Sequence, residues 1–182
     1  MTPAQRQWLI VALVALGLVG AATALVFLNP DVKGVQPGAE APDYRAAMLP
    51  SGDSVAIPEH YEGHVTLVNV WATWCIPCRV EMPAMQEVYA AYKPKGFRIA
   101  AVSIDEGDAE PVLAFTREMG LTFDILQDRR GAIQQVYQTT GVPESFLLDK
   151  RGVIVKREIG ARDWNSESNR RLIERLLEEP AP

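Results

Sequence analysis

Across 182 residues the chain has only two cysteines and two histidines, too few for the clustered ligands of most structural metal centres or for a disulfide framework. Cys75 and Cys78 are three positions apart, and a bridge between them closes too small a loop to staple a fold. A basic cluster is missing as well, and the net charge is -5, so no electrostatic reason exists to expect nucleic acid as a partner. Internal repeats and low-complexity tracts are absent. No cysteine lies near the N-terminal apolar run, which excludes a lipoprotein anchor.

Charge is also lacking from Trp8 to Phe27, in WLIVALVALGLVGAATALVF. A helix of that length rises about 30 Å, the thickness of a hydrocarbon core. The run reads as a retained anchor; a cleaved signal peptide is the alternative, because Ala22-Thr23-Ala24 offers small residues after an apolar stretch. Either reading places the rest of the chain outside the cytoplasmic membrane, in the periplasm or its equivalent, where disulfides persist. The expected organisation is an anchor over 1–28, a Pro- and Gly-containing linker over 29–43, and one domain over 44–182.

Within that domain, residues 44–63 are poorly patterned and suggest short extended pieces and turns. HVTLVNVWA at 64–72 is a β-branched apolar run that suits a buried strand. Met85, Val88, Tyr89 and Tyr92 then recur at helical spacing, so a helix is expected from Cys75 to about Lys93. A strand over 97–105, a helix over 109–119, a short strand TFDIL, a helix over 131–138, a hairpin of SFLLD and VIVKREI, and a helix over 166–178 complete the pattern. This order predicts an α/β fold with a central mixed sheet flanked by helices and one antiparallel hairpin edge. Chemistry in such sheets gathers at the carboxyl ends of the strands, and there Cys75 and Cys78 fall.

A Cys-x-x-Cys pair serves zinc or redox chemistry. His60 and His64 have suitable spacing for a Cys2His2 site, but the strand between them and the cysteines holds the pairs roughly 20 Å apart, so no metal is assigned. The redox reading fits each position. Cys75, at a helix N-terminus, meets unsatisfied N–H groups and the positive end of the dipole, which favour its thiolate and make it the nucleophile. Cys78, a turn further and deeper, is the resolving thiol. Trp74 shields one flank, and Pro77 restrains the turn.

The run NVWATWCIPCRVEMPAM, with LVNVWATWC, GVPESFLLDKRGVIV and GARDW in the expected order over about 40–178, resembles the thioredoxin superfamily. It is similar to the exported, membrane-tethered branch of ResA, TlpA and CcmG (DsbE) type, within the AhpC/TSA-like redoxins. The resemblance implies a thioredoxin-like fold with an inserted helix and strand at about 109–126, a redox-active Cys75–Cys78 disulfide as the only redox group, and no separate cofactor. It implies a cis Pro143, with the backbone of Val142 pairing a bound peptide. Glu81 matches an acidic residue beside the dithiol; a solvated first-turn carboxylate is the plain alternative. Glu144 is expected either to add negative potential to the docking groove or to be a solvated loop carboxylate. Asn69 stands where ordinary thioredoxins bury an aspartate, so Glu81 or water must replace that base. Trp71, Tyr89, Tyr92 and Phe146 read as core, and Trp164 matches a family position without an evident role.

Ile76-Pro77 offers the thiolate no side-chain donor, which argues for a reductant, and a tether suits a protein fed by an integral membrane thiol donor. The resemblance makes apocytochrome c the first client expected, with copper-site proteins or metallochaperones second. A disulfide-forming oxidase, a peroxidase using Thr73 and Arg79, and a metal-binding module are the competing readings.

Overall fold

The computed structural model describes residues 2–28 and 34–181, in two compact units, Met1–Gly34 and Val35–Pro182. In the first unit, helix α1 (Pro3–Leu28) contains the stretch Pro3–Ala24, long and apolar enough to cross a membrane.

The second unit is built on a seven-stranded mixed sheet with strands in the order β2 (Ser54–Ile57), β1 (Tyr44–Met48), β5 (Asp124–Gln127), β4 (Phe97–Ser103), β3 (Val65–Trp71), β6 (Glu144–Leu148) and β7 (Ile154–Ile159). Strand β3 (Val65–Trp71) is central and buried at every position, as its mostly apolar, β-branched composition favours. It pairs in parallel with β4 (Phe97–Ser103), which pairs in parallel with β5 (Asp124–Gln127). On its other side β3 pairs antiparallel with β6 (Glu144–Leu148), and β6 forms the expected hairpin with β7 (Ile154–Ile159). The side chain of Asp149 accepts from the N–H groups of Arg151 and Val153 and so shapes that turn.

Helices cover both faces. On one, α2 (Ile76–Tyr92) lays Cys78, Met82, Met85 and Tyr89 against Val65, Leu67 and Trp71, joined by Val112 and Phe115 of α3 (Glu110–Glu118) and Ile173 and Leu176 of α5 (Glu167–Glu178). On the other, Val68, Val70 and Phe146 meet Ile133 of α4 (Ala132–Val136), Tyr137 and Ile57. Trp71, Tyr89, Tyr92 and Phe146 are buried as expected, and Trp164 is fully buried in the α2-face core.

Three segments differ from expectation. Residues 44–63 do form short extended pieces and turns, but these pair as a hairpin, β1 (Tyr44–Met48) with β2 (Ser54–Ile57), which joins the sheet through unforeseen β1–β5 pairing. Helix α4 is short because Gly131 at its start and Gln138 after its end both take positive φ. The linker expected over 29–43 does not extend to Asp43. Residues 29–33 lie outside the described residues, but from Val35 the chain is part of the domain: Val35 and Ala41 are buried, and Gly38, Ala39 and Ala41 bond the backbone of Ile154 and Gly152. The apolar side chains there have a core to enter, which composition alone did not reveal.

Candidate active site

The chain leaves β3 at Trp71, and Thr73 is caught at once by Asp105, which accepts from its N–H at 2.9 Å and its hydroxyl at 2.6 Å. Ser103 and Gln127 hold Asp105 in turn. This anchors the short loop that carries Trp74, a residue 66% exposed. Beside it lies a groove of about 550 Å³ walled by Ile104, Asp105, Glu106, Arg130 and Gln134.

Cys75 is the N-cap of α2 and is bonded to Cys78, with their Cα atoms 5.3 Å apart. Its sulfur also accepts from the Cys78 N–H at 3.2 Å, so one backbone donor already faces the atom that bears the thiolate after reduction. Cys78 is fully buried while Cys75 retains 4% exposure, which makes Cys75 the sulfur an incoming group meets first. Pro77, near the start of the helix, has no N–H to leave unsatisfied. Ile76 and Val80, four apart on α2 and 75% and 72% exposed, extend an apolar rim from Trp74 around the pair.

Behind the sulfurs lies a buried polar network. Glu81, three positions beyond Cys78 and so on the same side of α2, is almost wholly buried and is no solvated surface carboxylate. Its oxygens accept from Asn69 Nδ2 at 2.9 Å and from the Arg162 N–H at 3.1 Å. Asn69 reaches it because β3 alternates: with Val65, Leu67 and Trp71 it faces α2. Its other amide proton goes to Ser145 Oγ at 2.9 Å, on the residue paired with it in β6. Burial raises the Glu81 carboxyl to about 7, against the lowering pull of the Arg162 and Asn69 donors. Glu81 joins no ion pair among the described residues.

The Val142–Pro143 bond is cis, as the resemblance implied. Val70 pairs with Glu144 as the last rung of the β3–β6 ladder, so Val142 and Pro143 immediately precede β6 at the end of the sheet where β3 leads into the dithiol loop. Val142 also packs against the core that holds both cysteines. Pro143 is buried, and its carbonyl accepts from Gly160 N–H. The N–H and carbonyl of Val142 bond no other group among the described residues.

Glu144 departs from both expectations. Strand alternation sends Ser145 to the α2 face and Glu144 to the other, where its carboxylate is fully buried and paired with Arg157 at 2.6 Å. It is neither solvated nor a charge beside the dithiol. Thr73 and Arg79, the candidates for peroxide chemistry, are also committed elsewhere: Thr73 to Asp105, and Arg79 to Glu118 at 3.3 Å with its guanidinium over Phe115. His64 lies before the start of β3 and Cys75 beyond its end, so the strand separates them. Sequence reasoning missed Ser145, Arg157 and the Arg162 amide; the one available signal was Asn69, a lone amide in an apolar strand.

A cysteine pair on the first turn of a helix, set at the carboxyl end of a mixed sheet beside a cis proline, defines a thioredoxin-like thiol-disulfide oxidoreductase. Residues 37–157 match the AhpC/TSA family, and the chain belongs to it. It is 35% identical over 136 residues to the thiol-disulfide oxidoreductase ResA of Oceanobacillus iheyensis, covering 74% of this chain and 70% of that one. Over 161 residues it is 35% identical to the thioredoxin-like protein YneN of Bacillus subtilis, with coverages of 85% and 91%. Among solved structures, a thiol:disulfide interchange protein of DsbE type from Chlorobium tepidum superposes with a TM-score of 0.71 at 30% identity, covering 79% of this chain and 99% of that one. StoA from Bacillus subtilis does so at 0.58 and 27%, covering 78% and 100%.

Proposed function

We propose that this oxidoreductase works as a reductant outside the cytoplasmic membrane, anchored by α1, and passes electrons from an integral membrane thiol donor to disulfides in exported proteins. Similarity to ResA makes apocytochrome c the first client and copper-site proteins or metallochaperones the second. In the forward step the Cys75 thiolate attacks one sulfur of the client disulfide, forming a mixed disulfide and releasing the other client sulfur as a thiolate that takes a proton. The Cys78 thiolate then attacks Cys75 Sγ, forming the Cys75–Cys78 disulfide and expelling the second client thiolate. The client gains two electrons and two protons. A donor dithiol restores the pair by the same chemistry in reverse order.

The observation that carries this direction is Glu81, a carboxylate buried without an ion-pair partner among the described residues and three positions beyond Cys78 on the same side of α2. Its charge penalises a neighbouring thiolate, and Ile76-Pro77 adds no donor to offset that penalty. The reduced form is therefore poorly stabilised and gives up its electrons readily. Glu81 also serves as the group that takes the Cys78 proton. Trp74, Ile76 and Val80 provide the apolar rim for the client, Pro77 shapes it, and Val142 with Pro143 provides the backbone edge, to which Glu144 contributes from within the fold.

Equilibration of the full chain with dithiothreitol tests the reading. A potential near thioredoxin's, about -270 mV, is expected; one near that of DsbA, about -120 mV, reverses the direction.

A further inference from the structure

One guanidinium outside the dithiol network has an unusual number of tasks. Arg157, on β7, donates from Nε to Glu144 Oε1 at 2.6 Å, from Nη1 to the Val35 carbonyl at 2.8 Å and from Nη2 to the Gln138 carbonyl at 2.6 Å. Its planar group lies over the Phe146 ring, 5.3 Å from the centroid. The second oxygen of Glu144 accepts from the N–H of Thr140 at 2.8 Å and from its hydroxyl at 3.3 Å. The carboxylate thus bridges residue 140 to residue 144 from inside, closing the loop on both sides of Val142, and Arg157 holds that carboxylate in place. None of these groups touches the sulfurs, because they belong to the opposite face of the sheet. A buried carboxylate with a planar, multiply donating partner is well suited to fixing a backbone, since each acceptor is met in one plane and direction.

We propose that Arg157 is a positioning residue for client docking: clamped on Glu144, Gln138 and Val35, it sets the backbone at Val142 and Pro143 along which a client strand pairs. The proposal rests on the client reading given above. A client that adds its backbone to this edge is bound through the Val142 N–H and carbonyl, so loosening the clamp that holds them weakens client binding rather than the sulfur exchange itself. A small disulfide reagent needs no such edge.

The test compares the reduced full chain with its Arg157→Gln and Arg157→Lys variants on two substrates: a synthetic peptide disulfide flanked by several residues, and dithionitrobenzoate. Saturation is followed by Trp fluorescence, and the dithiol equilibrium with glutathione is measured alongside. Arg157→Gln should raise the peptide KM at least tenfold, with kcat, the dithionitrobenzoate rate and the equilibrium constant within twofold of the parent. Arg157→Lys, which keeps the charge and serves if the glutamine variant fails to fold, should raise KM by a smaller factor in the same pattern. An unchanged peptide KM, or equal losses on both substrates, overturns the proposal. A parent protein that reacts with the reagent yet shows no saturation with any peptide overturns the client reading instead.

Discussion

Asn69 Nδ2 stands 2.9 Å from Glu81 Oε1, tying the strand that enters the dithiol to the helix that leaves it. Both partners of the Glu81 carboxylate are donors, and Asn69 Oδ1 has no partner among the described residues. The amide is therefore arranged for the ionised acid, while burial opposes ionisation.

That opposition gives stability a pH dependence of known sign. The carboxyl titrates near 7 in the fold and near 4.5 when unfolded, so between those values the folded chain holds a proton that the unfolded chain has lost. Its contribution is whole below about 4.5 and is lost as pH rises through 7, up to about 3 kcal/mol. Glu81→Gln should flatten the denaturant midpoint between pH 5 and 8 and raise it at pH 8. The same variant should remove an inflection near pH 7 from the rate at which Cys78 resolves a mixed disulfide. A midpoint profile identical to the parent's would refute the assignment.

Burial also separates the two sulfurs in role. Cys78→Ser should accumulate mixed disulfides through Cys75, visible as reducible adducts in non-reducing gels, whereas Cys75→Ser should trap at least tenfold less. Equal trapping by both would mean that the deeper sulfur attacks.

The dipeptide between the cysteines lacks a donor, so supplying one should stabilise the thiolate. Pro77→His is expected to shift the glutathione equilibrium toward the dithiol by at least tenfold, about 30 mV more oxidising. No shift would show that the Cys78 N–H and the helix already saturate the Cys75 sulfur.

Trp164 has a structural task. It is fully buried against α2 and α5, with Lys156 Nζ 5.7 Å from its ring centroid. Trp164→Ala should cost about 3–5 kcal/mol in denaturant unfolding while leaving the dithiol equilibrium within twofold. A changed equilibrium would tie the indole to the chemistry.

How much of the fold and the site was legible in the sequence depended on distance along the chain. Strand β3, the dithiol and helix α2 were readable because an apolar run, a Cys-x-x-Cys pair and a helical stripe are local signals. The β1–β2 hairpin was not, since only Ala46 and Ile57 of its strands are buried and its small residues give no clear alternation. Glu81 was marked by resemblance, yet its burial depends on Asn69, Ser145 and Arg162, brought together only by strand register and a loop from the far end of the domain. Glu144 was misread for the same reason. A one-residue step along β6 decides which face a side chain enters, and its partner Arg157 is placed by the hairpin rather than by anything adjacent to it.

The segment that crosses beside β7 has a consequence for behaviour in crowds. Ile154 exchanges both its backbone bonds with Gly38 and Ala39, so the outer margin of the sheet is already occupied where the strand begins. Further along, Lys156, Arg157 and Glu158 bring charge to the remaining rungs. A neighbouring copy seeking to extend the sheet past β7 meets a filled position first, so this margin is shielded from strand addition where β7 begins.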